Sequence, residues 1–163
     1  CGEIADGIIL TRSTLQTGAQ VKQCLAEGAA LAGRDPGKVE VTSLLPIAVG
    51  DNRQEALDTM RPGLTFYVGF FPRYRQMIAD YGFAEETAAA AAAFAKGDQA
   101  GAERCITDAM IDATSIVGTA GECRERIEAY RQSGIDLPII SPFARGPGSR
   151  ATFETVIRAC APG

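Results

Sequence analysis

The sequence contains no histidine. Without this residue the chain has no His-based general base, no Ser-His or Cys-His nucleophile pair, and none of the commonest metal ligand. Its five cysteines include no Cys-x-x-Cys pair, which is the spacing typical of metal and redox sites. We therefore predict that the protein binds no metal ion, and we interpret the cysteines as reduced core thiols of a cytoplasmic protein.

Positive charge is scarcer than negative charge. The chain has 16 Lys and Arg residues against 20 Asp and Glu residues, a formal net charge of -4 and a pI near 4.9. Nucleic acids and anionic membranes attract basic surfaces, so this balance argues against both as partners. No apolar run approaches the ~20 residues that a membrane helix needs, and no charged and then apolar leader marks the chain for export.

One stretch, residues 116–143, has sequence signals for the start of a helix, for the end of that helix and for a strand that follows it. Thr119 and Glu122 have the spacing of a capping box, which starts a helix. Gly134 supplies the residue that can adopt a left-handed conformation at the helix end, and residues 137–140 follow as a short apolar strand. The apolar face of this helix is formed by Cys123, Ile127 and Tyr130.

Three apolar segments are the predicted strands, at residues 7–10, 39–49 and 137–141, with long helices between them. This order is typical of a parallel sheet built by right-handed crossovers, so we predict an α/β fold in a single domain, residues 1–163. A strand that is apolar on both faces is usually covered by helices on both sides. A sheet of three strands also has two open edges, and open edges invite pairing, so we expect the chain to associate with itself or with a missing part.

A helical segment, residues 63–113, separates the second and third predicted strands and is longer than a crossover requires. We predict a helix before it that begins at Asp51, with this residue as the N-cap rather than as a catalytic acid. Pro62 and Gly63 are expected to interrupt that helix, because proline lacks the N–H donor and clashes with the preceding turn.

Aromatic residues concentrate in the first part of this segment, where residues 64–83 contain seven of the eleven Phe and Tyr residues of the chain. Aromatic stripes at helical spacing are usually part of a core or of a dimer contact, and this is the interpretation that we favour. The alternative is a lid over a planar ligand. In that case Phe70 and Tyr74 are the candidate substrate-binding residues.

Two predicted loops carry groups that can bind an anion. Residues 11–14 (TRST) offer hydroxyls and one guanidinium that can hydrogen-bond a phosphate, and a solvated loop is the equally weighted alternative. Arg145 and Arg150 flank a Gly-Pro-Gly-Ser sequence just before the last predicted helix, whose N-terminus favours anions. The alternative there is a pair of surface arginines. The spacing of the carboxylates identifies no general base.

Four segments together resemble the C-terminal half of luciferase-like monooxygenases. They are GEIADGIIL (residues 2–10), AGRDPGKVEV (residues 32–41), FYVG (residues 66–69) and IVGTAGECRERIEAYRQSGIDLPIISP (residues 116–142). The most similar branch is the group that uses coenzyme F-420, a deazaflavin. The likeness runs over nearly the whole chain and in the same order.

The resemblance implies a (β/α)8 barrel, in which the three predicted strands are strands six, seven and eight. A typical barrel takes ~250 residues, so we expect a partial barrel of about the last three β/α units, with residues 63–113 as a helical insertion. It further implies coenzyme F-420 as cofactor, or FMN as the alternative, with Thr11, Arg12 and Ser13 on its phosphate side. Arg145 is then a candidate contact for an anionic substrate.

By this resemblance, the chain is the C-terminal portion of an oxidoreductase or monooxygenase that acts on a small-molecule substrate. Hydride transfer is then the chemistry of the cofactor, and its catalytic residues lie in an N-terminal half. The alternative hypothesis is a barrel remnant, or an assembly module, that binds no cofactor. On either hypothesis we expect the isolated 163 residues to be inactive.

Overall fold

The computed structural model describes residues 1–144 and 147–161. The four strands are β1 (Gly7–Thr11), β2 (Glu40–Val49), β3 (Ile116–Gly118) and β4 (Leu137–Pro142). The helices are α1 (Thr17–Leu31), α2 (Arg53–Phe70), α3 (Pro72–Ile78), α4 (Ala84–Ala95), α5 (Gln99–Arg104), α6 (Asp108–Thr114), α7 (Ala120–Gln132) and α8 (Ser149–Cys160). No helix in the described part of the chain combines the length and the apolar character that crossing a membrane requires.

The strands form one parallel sheet with β2 at its centre, so the predicted α/β fold is confirmed. β1 pairs with the first half of β2, and β4 pairs with β2 from Thr42 to Ile47. β3 pairs with the last three residues of β2. Since β4 shares partners on β2 with both β1 and β3, these two strands lie on the other side of β2 from β4, with β3 nearer the carboxyl end. The three predicted strands are found at nearly the predicted positions. Sequence analysis missed β3, because a run of three residues is too short for a periodic pattern.

One face of the sheet is covered by helices. Val41, Leu45 and Ile47 of β2 point to this face and belong to a core that α1, α7 and α8 complete. The predicted capping box at the start of α7 is present, and Gly134 has φ of 106° just after the helix ends. The predicted apolar face of α7 is buried in the same core, with Cys123, Ile127 and Tyr130. We call this surface the helix-covered face.

The opposite face of the sheet is uncovered over most of β1, β2 and β4. Paired residues of neighbouring strands share a face, so Ile9 and Leu137 lie on either side of Thr42 there. One step further along, Leu44 lies between Thr11 and Ile139. Ile9 is 71% exposed and Leu137 is 46% exposed. We call these two rows of side chains the bare face. The sequence pattern predicted helices on both faces of the sheet, but no helix packs on these two rows.

α2 anchors a second core at the far end of β2. Its buried side chains pack with those of α4 and α6 against Ala48 and Val117. The predicted interruption at Pro62 is wrong, since α2 continues through it. Pro62 lies on the exposed side of the helix, where water can satisfy the carbonyl that loses its donor. Gly63 faces inward instead, and a Cβ atom there would lie 2.7 Å from the ring of Phe143.

The cap of α2 and the cysteines also differ from expectation. Asn52, and not Asp51, is the N-cap residue, since its side-chain oxygen accepts hydrogen bonds from the N–H groups of Gln54 and Glu55. All five cysteines are free, but Cys1 and Cys24 are exposed rather than part of the core. Among the described residues, no group of three or more Cys, Asp or Glu side chains is arranged to hold a metal ion.

Candidate functional site

The predicted phosphate-binding loop, residues 11–14, follows β1 directly, and the structure places it in the interior. The N–H of Arg12 donates to the carbonyl of Leu44 at 3.1 Å, which extends the ladder between β1 and β2 by one residue. Arg12 has φ of 54°, a left-handed conformation that is uncommon for residues other than glycine. Arg12, Ser13 and Thr14 are buried, so the alternative of a solvated loop is wrong.

Two hydrogen bonds from other elements fix Ser13. Its hydroxyl lies 2.8 Å from the hydroxyl of Ser43 on β2, and its carbonyl accepts a hydrogen bond from the phenol of Tyr130 at 2.7 Å. Burial raises the pKa of Tyr130 to about 12, which keeps the phenol protonated as a donor. α7 thereby positions the loop after β1, a contact between residues 117 positions apart in the sequence.

A second network fixes the end of the loop at the start of α1. The N–H of Thr14 donates to the hydroxyl oxygen of Thr17 at 3.0 Å, and the two threonine hydroxyls are 3.1 Å apart. The hydroxyl of Thr17 also lies 3.2 Å from the phenol oxygen of Tyr81. Thr11 is half-buried and belongs to the bare face, so it is the member of the predicted trio that lies nearest to open space.

Arg12 as a whole residue is 3% exposed, and its guanidinium lies 4.2 Å from the ring centroid of Tyr67. Such stacking is a cation–π interaction, and it partly compensates the loss of water. No described residue accepts a hydrogen bond from the Nη1 atom, which is fully buried. Burial lowers the pKa of Arg12 to about 10, against the opposing influence of Tyr67 and Tyr74, so the group remains a cation at neutral pH.

The aromatic residues around Tyr67 form a continuous cluster at the junction of α2 and α3, which we call the aromatic cluster. Phe70 is stacked on Phe66 with centroids 5.3 Å apart, and it is 59% exposed. Tyr74 packs edge-on against Tyr67 at 4.9 Å and is half-buried. The structure therefore brings the candidate substrate residue Tyr74 to the candidate cofactor residue Arg12, with Tyr67 between them. The third candidate substrate residue, Arg145, lies outside the described residues.

Two concave surfaces adjoin these elements. A cavity of about 280 Å³ lies at the carboxyl end of β2, between the first turns of α2 and Phe143, and its polar groups include Asp51, Glu55 and Thr59. A groove of about 500 Å³ lies beside α3, and we call it the α3 groove. It is lined by Gln20, Arg73, Tyr74, Met77, Asp80 and Tyr81, among others. Tyr74 thus belongs to both the aromatic cluster and the α3 groove.

Sequence reasoning missed three residues of this site: Ser43, Tyr67 and Tyr130. Tyr67 lies inside the FYVG segment, which carried a family resemblance but gave no sign of a partner 55 positions earlier in the chain. Tyr130 was correctly predicted as a core residue, but its phenol hydrogen bond depends on where α7 sits relative to β1. Local patterns contain no information about such long-range contacts.

Curated relatives of this chain are reductases. Over 159 residues the chain is 25% identical to the 5,10-methylenetetrahydromethanopterin reductase of Archaeoglobus fulgidus, and over 158 residues it is 28% identical to that of Methanolobus tindarius. These matches cover 94% and 95% of this chain. The chain spans 47% of the length of each of these two relatives.

Solved structures share the fold. The coenzyme F-420-dependent tetrahydromethanopterin reductase of Methanopyrus kandleri matches with a TM-score of 0.78 and 24% identity, over 95% of this chain and 44% of the other. An F-420-dependent secondary alcohol dehydrogenase matches with a TM-score of 0.64 and 18% identity, over 99% and 44%. The EDTA monooxygenase of Chelativorans sp. BNC1 matches with a TM-score of 0.60 and 13% identity, over 98% and 40%.

The chain also matches a model of a whole protein family, and this match extends over most of its length. The model is described as luciferase-like monooxygenase, and it matches residues 1–137, which is more than half of the chain. This protein therefore belongs to the luciferase-like monooxygenase family.

Proposed function

We propose that this chain is the C-terminal part of a (β/α)8 barrel in an F-420-dependent oxidoreductase, with FMN as the second candidate cofactor. The observation that carries the proposal is the bare face. A barrel encloses one face of its parallel sheet and covers the other with helices. The sheet of β1, β2 and β4 has helices on one face and exposed apolar residues on the other, which supports this arrangement. The 47% coverage of the reductase relatives leaves length for the remaining strands.

The loop after β1 is the proposed phosphate side of the cofactor site, with Thr11, Arg12 and Ser13 as its residues. It lies at the carboxyl end of a parallel strand, where barrel enzymes bind their ligands. A buried guanidinium with an unpartnered Nη1 atom fits an anionic cofactor, because buried charges are normally paired. When bound, F-420 would supply the hydride chemistry. The role of this chain is to hold and orient it, with Tyr130 and Ser43 fixing the loop.

The aromatic cluster is the proposed wall of the substrate site. Phe70 is largely exposed and Tyr74 is half-buried, so both offer ring surface to a small molecule. Arg145 is proposed as the contact for an anionic group of that substrate. Specificity in barrel enzymes is carried by the loops after the strands, and residues 53–114 form the largest described connection of this chain.

A second function is also favoured by the bare face. An apolar sheet surface beside two open strand edges is suited to assembly with another protein chain, whether or not a cofactor is bound. On this proposal the protein is a non-catalytic assembly module. The two functions differ in whether the assembled protein binds F-420.

The test uses the cofactor's own fluorescence. F-420 and FMN are titrated against the 163-residue chain alone, and against a fusion with the portion of the Archaeoglobus fulgidus relative that lies outside the match. We expect the chain alone to bind more weakly than micromolar, because one wall leaves most of a planar ligand in water. We expect the fusion to bind tightly and to oxidise reduced F-420.

A folded fusion that binds neither cofactor would contradict the proposed oxidoreductase function and would leave the assembly module as the remaining proposal. Micromolar or tighter binding by the chain alone would contradict the partial barrel, since the site would then be complete without further strands. Replacement of Leu137 by Glu in the fusion is the matched control, because it alters the bare face at a position that pairs with Thr42 and not with the loop after β1. It should prevent correct assembly and abolish cofactor binding.

A further inference from the structure

A further cavity, of about 220 Å³, lies between the start of α1, the helices α6 and α7, and the turn that joins α3 to α4. We call it the Arg126 pocket. Its wall consists of Thr14, Leu15, Gln16, Tyr81, Phe83, Ala113 and Arg126. Among these described residues the one charged group is the cation of Arg126, and there is no carboxylate. A mostly apolar concave surface with a few polar groups is the usual form of a small-molecule site.

Arg126 is half-buried on α7, and the fold holds its side chain without neutralising it. Its Nη2 atom donates to the carbonyl of Asp112 on α6 at 2.9 Å. Its guanidinium also lies 5.5 Å from the ring centroid of Tyr130. It forms no ion pair with any described residue. A guanidinium has five N–H donors in a planar fork, so donors remain for an anion in the pocket.

Two aromatic rings of the wall are fixed by contacts outside the pocket. Tyr81 and Phe83 flank Gly82, whose φ of 99° makes the chain turn between α3 and α4. The hydroxyl of Tyr81 lies 3.2 Å from the hydroxyl of Thr17, which ties this turn to α1. Phe83 packs from behind against the core that α2 anchors. The apolar part of the wall is therefore preformed.

The pocket also adjoins the loop after β1. Thr14 belongs to this loop and to the wall of the pocket. Tyr130, which lies beside Arg126, donates its phenol hydrogen bond to the carbonyl of Ser13 at 2.7 Å. Since α1 and α7 both pack on the helix-covered face, the pocket reaches the loop from the side of the helices and not from the bare face.

We propose that the Arg126 pocket is a second ligand site of this protein and that its ligand is a small aromatic carboxylate. The carboxylate pairs with Arg126, because the planar oxyanion matches the fork of the guanidinium. The ring of the ligand packs against Phe83 and Leu15. The volume of about 220 Å³ lies below the range of roughly 300–1,000 Å³ for drug-sized ligands, so the class is limited to acids with a single ring.

This site does not rest on the proposed function. All residues of its wall lie within positions 14–126, so the pocket is complete without further barrel strands. It can therefore be tested on the 163-residue chain, with no cofactor present. Failure of the test would leave the proposed oxidoreductase function as it stands, because that function uses Thr11, Arg12 and Ser13 instead.

Benzoate is the probe, acetate is its match without a ring, and benzyl alcohol is its match without a charge. Chemical-shift titration of the isotope-labelled chain measures the affinity and shows which residues respond. We expect benzoate to bind with a dissociation constant on the order of 1 mM, as is typical of a ligand of about nine non-hydrogen atoms. Acetate and benzyl alcohol should each bind at least tenfold more weakly, and the shifts should concentrate in the wall of the pocket.

Three results with the wild-type chain would overturn the proposal. The first is the absence of saturable benzoate binding. The second is acetate binding as tight as that of benzoate, which would leave no role for the aromatic wall. The third is benzyl alcohol binding as tight as that of benzoate, which would leave no role for Arg126.

Arg126→Gln is the decisive variant, and Arg124→Gln is its matched control. Arg124 lies on the same helix and also donates to a single backbone carbonyl, that of Ala159 at 2.7 Å, but it is not part of the pocket. Arg126→Gln should weaken benzoate binding at least tenfold, whereas Arg124→Gln should leave it within twofold. Equal affinity in Arg126→Gln and wild type, or an equal loss in Arg124→Gln, would contradict the site.

A second variant keeps the test decisive if Arg126→Gln is hard to purify. Ala113→Leu fills the pocket from α6 and leaves Arg126 in place, so it should also weaken benzoate binding at least tenfold. Undiminished binding would show that the acid binds elsewhere. In wild type, saturating benzoate should slow hydrogen exchange of the Thr14 N–H, which donates to Thr17, at least threefold. Unchanged exchange would contradict the placement of the ligand beside the loop after β1.

Discussion

The two faces of the sheet are made from the same strands and from similar residues, yet they differ in burial. On β2, Leu45 points to the helix-covered face and is completely buried, while its neighbour Leu44 points to the bare face and is 38% exposed. The helix-covered face receives α1, α7 and α8, whereas over most of its length the bare face has no helix. Apolar character alone therefore does not decide burial in this chain; the number of packed elements does.

The largest expected effect compares these two leucines directly. Leu45→Ala removes buried methyl groups from a packed core and should lower the free energy of unfolding by ~2–5 kcal/mol. Leu44→Ala removes the same atoms from a partly hydrated surface and should cost less than ~1 kcal/mol. Urea unfolding of the two variants, followed by circular dichroism, measures both values.

Equal losses for the two variants would mean that the bare face is packed in solution. Repeating the unfolding at several protein concentrations would then show whether association covers the bare face, because stability that depends on association rises with concentration. A concentration-independent loss for Leu44→Ala would contradict the description of this surface as uncovered.

The sequence predicted the strands and the helices better than it predicted their neighbours. A strand that is apolar on both faces has the same pattern whether helices or further strands cover its second face, so the pattern alone could not reveal the bare face, which only the resemblance to a barrel implied. The capping box at Thr119 was foreseen because its two residues are three positions apart. Arg12 and Tyr67 are 55 positions apart, and only the folded chain shows that they meet.

The second prediction concerns self-association through the bare face. Ile9→Lys places a charge at its most exposed position and should weaken association at least tenfold, since an ammonium group would be buried in the contact. The control is Leu31→Lys, which changes a residue of α1 that is also highly exposed but lies away from this face. Sedimentation velocity over a range of concentrations measures both variants. Association of Ile9→Lys at the wild-type strength would show that the contact lies elsewhere.

The third prediction addresses the helix-covered face through α7. The hydroxyl of Thr119 accepts a hydrogen bond from the N–H of Glu122, and the Glu122 carboxylate accepts one from the N–H of Thr119 at 2.7 Å. Thr119→Ala breaks this box and should cost ~1 kcal/mol of unfolding free energy. Thr59→Ala is the control, because its exposed hydroxyl only donates to the carbonyl of Glu55 within α2. An equally large loss of unfolding free energy for Thr59→Ala would show that the loss in Thr119→Ala does not come from the capping box.

The smallest expected effect is a pH dependence at Asp136, which joins α1, β2 and the start of β4. One carboxylate oxygen accepts a hydrogen bond from Lys22 at 2.6 Å, and the other accepts one from the N–H of Val41 at 2.9 Å. Partial burial acts to raise the pKa of Asp136, but the two hydrogen bonds outweigh it, so the pKa is lowered from its ordinary value of 3.8. The charged form is thus favoured in the folded protein.

A carboxyl group whose pKa is lower in the folded state than in the unfolded state stabilises the fold above the unfolded pKa. That stability is lost as the pH falls through the folded pKa. The difference in thermal midpoint between wild type and Asp136→Asn should therefore be largest near neutral pH and should shrink below about pH 4. The difference should also fall at high salt, because both partners of this ion pair are substantially exposed. A difference that grows on acidification would show that Asp136 is held in its protonated form.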